Sequence, residues 1–125
     1  EDLRLRVCMV LLGIGHEVTA TGGQVLFSEG EGDNDTAYVL LDGSVLIEKM
    51  ETPEQLVQAP ELLGEVVKFN PMGRRSATVT VQGEARLLKF LWTPFFHALE
   101  SMFTHDEQLD VRHALEDLAW SHFAG

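Results

Sequence analysis

The feature that most constrains the fold of this chain is a change of pattern at Thr93. From His16 up to that point, short apolar runs alternate with glycine and short polar residues, which is typical of strands separated by turns. Beyond it, apolar residues recur every three or four positions, as they do along one face of a helix. The first residues of the chain have the same helical spacing. The sequence therefore predicts a helix over 2–13, a β-roll over 16–92 and C-terminal helices over 93–123.

Two turn signals interrupt the longest apolar stretches of the β region. Asp42-Gly43 is expected to form a tight hairpin turn, and Gln82-Gly83-Glu84 is expected to form another turn. Counted in this way, the β region holds seven or eight short strands. The predicted fold is α+β: an eight-stranded antiparallel β-roll, double-stranded and jelly-roll-like, with a short N-terminal helix and two C-terminal helices. Residues 1–125 are expected to form a single domain.

The two C-terminal helices have recognisable starts and apolar faces. Thr93 is a plausible N-cap with Pro94 at the first helical position. The face of this helix is expected to contain Phe95, Phe96, Leu99 and either Met102 or Phe103. The next helix is expected from Asp106 to Phe123, with an apolar stripe made of Leu109, Val111, Ala114, Leu115, Leu118 and Ala119.

Charge is distributed unevenly along the chain. It has 9 basic and 20 acidic residues, a net charge of −11. Residues 1–65 hold three of the basic residues, whereas residues 66–89 hold five basic residues and a single acid, Glu84. A chain this acidic repels the nucleic-acid backbone, so direct nucleic-acid binding is not expected. The basic island suits a small anion, and from charge alone the alternative is chance clustering on a solvated strand face.

Several other kinds of site are disfavoured by the sequence. Cys8 is the only cysteine, which excludes an internal disulfide and favours a reducing, cytoplasmic location. We expect its thiol to be packed on an apolar helix face. The histidines form no His-x-His pair, so no metal site is predicted. No apolar run is long enough to cross a bilayer. We therefore expect a non-enzymatic chain with no catalytic residue, metal or cofactor.

One stretch inside the basic island carries the groups needed to hold an anion. Glu61–Phe69 is expected to contain a short helical turn. Gly64 permits a close backbone approach with no side chain in the way. If the turn is helical, the N–H groups of Val66 and Val67 point outward as anion donors.

The same stretch also carries two opposite charges, on Glu65 and Arg75. Arg75 lies ten residues after Glu65, and its planar guanidinium can hold two phosphate oxygens at once. Ser76 adds a hydroxyl beside it. The Glu65 carboxylate can accept hydrogen bonds from hydroxyl groups. A sugar phosphate requires both kinds of group a few ångströms apart.

These residues resemble a known motif. Gly64-Glu65 followed by Arg75-Ser76-Ala77 is similar to the phosphate-binding cassette of cyclic-nucleotide-binding domains. This family occurs in the bacterial catabolite activator protein, in regulatory subunits of cAMP-dependent kinase and in nucleotide-gated channels. Glu29–Asp33 and Tyr38–Val45 resemble the strand and glycine-turn signature upstream of the cassette, and Leu87–Phe96 resembles the last strand and the helix that follows it.

The resemblance implies a role for each residue of the cassette. Glu65 would accept the ribose 2′-hydroxyl, Arg75 would pair with the cyclic phosphate, and Ser76 would bind the phosphate or the base. The rest of the implied binding segment consists of Gly64, Val66, Val67 and Ala77. Two positions depart from the family pattern: Val67 stands where a small residue is usual, and Arg74 stands where a proline is frequent.

The base end of the ligand is less constrained by the resemblance. Trp120 and Ser121 fall where a residue of the last helix covers the base; the alternative is that Trp120 is a core or dimer-face aromatic. The implied ligand is cAMP or cGMP, with cAMP favoured. The implied function is a ligand-sensing regulatory domain that relays binding through its C-terminal helices to an output domain or partner protein. A homodimer through the last helix is compatible with this function. The alternative is a ligand-free docking or dimerisation module with a degenerate pocket.

Overall fold

A computed structural model of the chain describes residues 3–32, 34–64 and 73–124. The N-terminal helix agrees with the sequence prediction, and the β region is followed by two helices, as expected. In chain order the elements are α1 (Leu3–Ile14), β1 (His16–Ala20), β2 (Val25–Phe27), β3 (Thr36–Glu48), β4 (Gln55–Gln58), β5 (Glu61–Leu63), β6 (Thr78–Leu91), α2 (Trp92–Met102) and α3 (His105–Ala124).

Within the described ranges, the six strands form one antiparallel sheet. Its order is β1-β6-β3-β4, with β2 also paired to β6 and β5 also paired to β3. The two long strands β3 and β6 lie at the centre and pair over almost their whole length. The result is an antiparallel β-roll with an N-terminal helix and two C-terminal helices, which confirms the predicted fold class.

The two expected turns at the centre of the sheet are wrong. β3 continues through Asp42 and Gly43, and β6 continues through Gly83. At this level the pairing slips, because Asp42 lies opposite Arg86 while Ser44 lies opposite Gln82. Gly43 and Gly83 have φ values of 98° and 67°, the left-handed conformation that glycine supplies in β-bulges. The turn signals therefore mark irregularities in two long strands, and strands expected as four short ones are two long ones.

Two clusters of buried residues lie on opposite faces of the sheet. The first lies inside the roll and includes Phe27, Leu40 and Leu87. The second joins the sheet to the helices and is rich in aromatic rings, among them Trp92 and Phe95, whose centroids are 5.6 Å apart in an edge-to-face arrangement. Because side chains alternate along a strand, β3 contributes to both clusters.

The start of α2 differs from the prediction. Thr93 is not its N-cap, because the helix already begins at Trp92. The first two amides are satisfied from another segment: Trp92 N–H donates to the Asp35 carbonyl (2.8 Å) and Thr93 N–H to Asp35 Oδ2 (3.0 Å). At the other end, Phe103 is buried and Met102 is 63% exposed. Of the two residues expected as alternatives on the apolar face, Phe103 is therefore the one that packs against the protein.

The helix α3 begins with a capping box that the sequence analysis did not identify. Thr104 Oγ1 accepts the Glu107 N–H (3.2 Å), and Glu107 Oε1 accepts the Thr104 N–H (2.9 Å), the reciprocal pattern of this motif. The Glu107 carboxylate also pairs with Arg6 of α1. Of the expected stripe, Val111 is buried and Leu115 half-buried, whereas Leu109 and Ala114 are exposed. The side chains of Leu118 and Ala119 lie outside the description.

We expect the contribution of Glu107 to folding to depend on pH. The Thr104 N–H and then Arg6 hold the pKa of this carboxyl below its ordinary value of 4.5. A depressed carboxyl pKa stabilises the fold at pH values above the ordinary one, and this stabilisation is lost as pH falls through the folded-state pKa. Urea unfolding of the wild type and of Glu107→Gln should therefore differ at pH 7 and converge in acid. A difference that stays constant between pH 7 and pH 3 would contradict this assignment.

Two further expectations, for Cys8 and for residues 61–69, are changed or limited by the structure. Cys8 is exposed, so the expected packed thiol is wrong; it projects from the side of α1 opposite the buried Val10. Glu61–Leu63, the first part of the segment expected to contain a helical turn, is a strand paired with Tyr38–Leu40, and residues 65–69 of that segment lie outside the described residues. No helix in the described ranges is long and apolar enough to cross a membrane.

Candidate ligand-binding site

The backbone of Arg75 is held by two hydrogen bonds to the loop that follows β2. Its N–H donates to the Glu31 carbonyl (2.8 Å), and its carbonyl accepts the Gly30 N–H (2.9 Å). The backbone of the neighbouring Arg74 forms an isolated antiparallel β-bridge with Gly32. The segment before β6 therefore runs beside the loop that follows β2, and this pairing fixes the direction in which the Arg75 side chain leaves the backbone.

The Arg75 side chain points into the protein and is only 4% exposed. Nη1 donates to the Gly64 carbonyl (3.1 Å), and Nη2 donates to Asn34 Oδ1 (2.7 Å) and to the Thr36 carbonyl (2.9 Å). The guanidinium carbon lies 3.8 Å from the centroid of the Phe27 ring, within the range of a cation–π contact. The cation is thus held in a fixed position where three segments of the chain meet.

Gly64 lies directly against this cation and has no room for a side chain. Its φ is 103°, and a Cβ at this position would lie 2.9 Å from Cζ of Phe27 and 3.1 Å from Nη1 of Arg75. Its carbonyl also accepts the indole N–H of Trp92 at 3.4 Å. The backbone at Gly64 therefore links Arg75 to the first residue of α2.

The other predicted binding residues are only partly described. Ser76 is half-buried and Ala77 is 8% exposed; both lie between Arg75 and the start of β6. Glu65, Val66 and Val67 lie outside the described residues, so their predicted contacts stay predictions. Trp120 and Ser121 belong to α3, but their side chains are not described.

Several groups that hold Arg75 were not singled out from the sequence. Phe27, Asn34 and Thr36 contact it directly, and the loop 29–32 pairs with its backbone. From the sequence, the glycine-rich acidic segment Glu29–Asp33 was singled out only as part of the strand and glycine-turn signature upstream of the cassette. Its composition indicates irregular backbone, but no local pattern shows which distant side chain it contacts. Among the residues that the structure describes, no cluster of His, Cys, Asp and Glu is arranged to hold a metal ion.

Tyr38, beside Arg75, has a perturbed pKa. Its ring packs edge-to-face against Phe27, with centroids 5.5 Å apart. Partial burial raises the pKa of the phenol above 10.0, and the positive charge of Arg75 opposes this shift. The phenol is therefore uncharged at neutral pH.

Solved structures share this fold over most of the chain. The catabolite activator protein of Thermus thermophilus has a TM-score of 0.71 at 17% identity, over 94% of this chain and 55% of that one. The c-di-GMP-responsive global regulator CLP of Xanthomonas campestris has a TM-score of 0.71 at 15% identity, over 96% and 59%. The cAMP-bound form of the EAL enzyme Bd1971 has a TM-score of 0.61 at 25% identity, over 87% and 29%.

No family model matches the chain, and no curated protein matches it. The chain spans only part of the length of the three proteins named above. The architecture that they share with it is nevertheless the one implied by the cassette and the strands around it. The chain has the fold of a cyclic-nucleotide-binding domain.

Proposed function

We propose that this chain is a ligand-sensing regulatory domain that binds a cyclic nucleotide, with cAMP favoured over cGMP. The observation that carries the proposal is the buried guanidinium of Arg75 held against Gly64. A guanidinium that surrounding acceptors hold in one position in the wall of a β-roll is a preorganised cation. Such a cation suits an anionic ligand that enters beside Gly64.

The chemistry of the site suits a cyclic phosphodiester. A planar guanidinium binds a phosphate through two parallel hydrogen bonds, which are stronger than neutral ones. The acceptors that hold it here include two backbone carbonyls and the amide oxygen of Asn34. In the proposal, Glu65 accepts the ribose 2′-hydroxyl, Ser76 adds a donor beside the phosphate, and Trp120 covers the base.

The same contacts offer a route from the ligand to the helices. Asn34 and Thr36 accept hydrogen bonds from Arg75, and Asp35 between them accepts the first two amides of α2. A ligand that draws the guanidinium toward its phosphate therefore acts on the segment that caps α2. It can shift the arrangement of the helices only by the difference between its affinities for the two arrangements.

The comparisons support this proposal at the level of ligand class. Bd1971 has been solved in cAMP-bound and cGMP-bound forms, and CLP responds to c-di-GMP. In each case the matched domain is part of a longer protein. We accordingly propose that the output is an attached domain or partner protein, that the domain itself is not catalytic, and that it acts in the cytoplasm.

A second candidate is a ligand-free docking or dimerisation module. The observation that favours it is the exposure of Leu109 and Ala114 on α3, which leaves apolar positions available to a second copy. This candidate also explains the arginine, since the groups around Arg75 already accept its hydrogen bonds without a ligand.

Calorimetric titration of the chain separates the two candidates. We expect saturable binding of cAMP with one ligand per chain, weaker binding of cGMP, and no saturable binding of 5′-AMP, because its phosphate is not cyclic. Thermal unfolding with and without cAMP provides an independent readout, since a ligand that binds only the folded state raises the transition temperature. No heat and no thermal shift with cAMP, cGMP or c-di-GMP would favour the docking module.

A further inference from the structure

Tyr38, the only tyrosine of the chain, faces the inside of the roll. It packs with the interior cluster of Phe27 and Leu40, whereas its neighbours Ala37 and Val39 belong to the cluster beneath the helices. Alternation along β3 therefore directs the phenol to the same side of the sheet as the Phe27 ring. This side of β3 is the one that Arg75 approaches.

Tyr38 lies close to both Arg75 and Gly64, the two described residues that define the candidate site. Its ring and the Arg75 guanidinium contact the same Phe27 side chain, at 5.5 Å and 3.8 Å from the ring centroid respectively. In the sheet, Tyr38 pairs with Leu63, the residue before Gly64. Tyr38 thus lies next to the point where the cassette begins and close enough to Arg75 to interact with its charge.

The hydroxyl of Tyr38 is available for a further bond. Among the residues that the structure describes, none forms a hydrogen bond with it, and the side chain is only partly buried. Among the residues that the structure describes, the charged groups placed near it are Arg75, then Lys89, which lies opposite on β6, and Glu61, two pairs further along β5. Because the phenol is uncharged at neutral pH, it can donate to an anion without repelling it.

We propose that Tyr38 is a ligand-binding residue whose hydroxyl donates a hydrogen bond to the phosphate held by Arg75. This assignment rests on the proposed function and adds to it a donor that the sequence analysis did not include. Both groups contact the Phe27 ring, which holds each of them beside the other. The site would thereby offer the phosphate a cation from the cassette and a neutral donor from the centre of the sheet.

The first test is the variant Tyr38→Phe, which keeps the ring that packs against Phe27 and removes only the hydroxyl. We expect its affinity for cAMP to fall about tenfold, the size of one hydrogen bond to a charged group, with the thermal unfolding of the free protein unchanged. Ser101→Ala removes a hydroxyl that donates to the His97 carbonyl within α2, and it should leave cAMP affinity unchanged.

The second test observes the phenol directly in the wild type. Labelling tyrosine with 13C at Cζ gives a single resonance, whose pH titration reports the Tyr38 pKa. Saturation with cAMP should raise this pKa further, since donation to an anion favours the protonated phenol.

The outcomes distinguish this inference from the proposed function. If the wild type binds cAMP but Tyr38→Phe binds equally well and the Tyr38 pKa is unmoved, Tyr38 only packs, and this inference alone fails. If the wild type does not bind cAMP, the proposed function fails and this assignment fails with it.

Discussion

Arg75→Ala is expected to lower the affinity for cAMP by about a hundredfold or more, because it removes the charge-assisted pair with the phosphate. The same change should lower the free energy of unfolding by about 3 kcal/mol. The side chain is 4% exposed, and its loss removes three hydrogen bonds, to the Gly64 carbonyl, to Asn34 Oδ1 and to the Thr36 carbonyl. Calorimetry measures the first effect and urea unfolding the second.

Arg74→Ala is the matched control for this prediction. Arg74 is the preceding residue, is exposed, and donates to the Gly30 carbonyl, so its loss should cost less than about 1 kcal/mol and leave cAMP affinity nearly unchanged. Arg75→Lys is the second variant: it keeps the charge but not the planar fork, and it should fold better than Arg75→Ala while binding cAMP more weakly than the wild type. Wild-type affinity in a folded Arg75→Ala would refute the assigned role.

Gly43→Ala is expected to lower the free energy of unfolding by about 3 kcal/mol, since it combines an unfavourable φ with overpacking at the centre of the sheet. The φ of Gly43 is 98°, and a Cβ there would lie 2.5 Å from the Glu84 carbonyl oxygen and 2.9 Å from Cα of Ala85. Both neighbours are backbone atoms of the paired strand β6, which can move only by disturbing the longest pairing in the fold.

Gly23→Ala separates these two causes. Gly23 has a similar φ of 92°, but nothing lies within 4 Å of its added Cβ. Its replacement should therefore cost only about 1 kcal/mol, the price of the backbone conformation alone. Equal losses for the two variants in urea unfolding would show that close packing against β6 does not contribute at Gly43.

The elements that were predicted well are those with a local physical signature. The change of period at residue 93 separates strands from helices because the two structures repeat every 2 and 3.6 residues. Asp42-Gly43 was also a correct sign of left-handed backbone at Gly43, yet it was wrong as a hairpin. A glycine of this kind serves a turn or a bulge equally well, and the choice depends on whether β6 offers a continuous partner strand.

The capping residues show the same division between local and distant signals. The Thr104 and Glu107 pair is a local motif, so closer attention to the sequence would have identified it. The cap of α2 comes instead from Asp35, separated from Thr93 by 58 positions. Only the paired arrangement of β3 and β6 brings that loop to the start of the helix, and no spacing rule in the sequence predicts it.

The contacts of the candidate site show the same difference between local signals and contacts with distant segments. The resemblance names Gly64 and Arg75, and the structure places them in contact through the Gly64 carbonyl; their contacts with a ligand stay predictions. Asn34 was not predictable, since it lies 41 residues from Arg75 and carries an ordinary turn-forming side chain. The contact between Phe27 and Arg75 was not predictable either. A phenylalanine in an apolar strand has the same sequence context whether it only packs in the core or also contacts a cation.

The central claim is that the Arg75 guanidinium binds the phosphate of a cyclic nucleotide inside the roll. A crystal structure of the chain with cAMP measures this contact most directly. We predict a phosphate oxygen within about 3 Å of the guanidinium nitrogens, as in other charge-assisted pairs. A phosphate bound elsewhere, with the Arg75 side chain donating only to Gly64, Asn34 and Thr36, would contradict the claim.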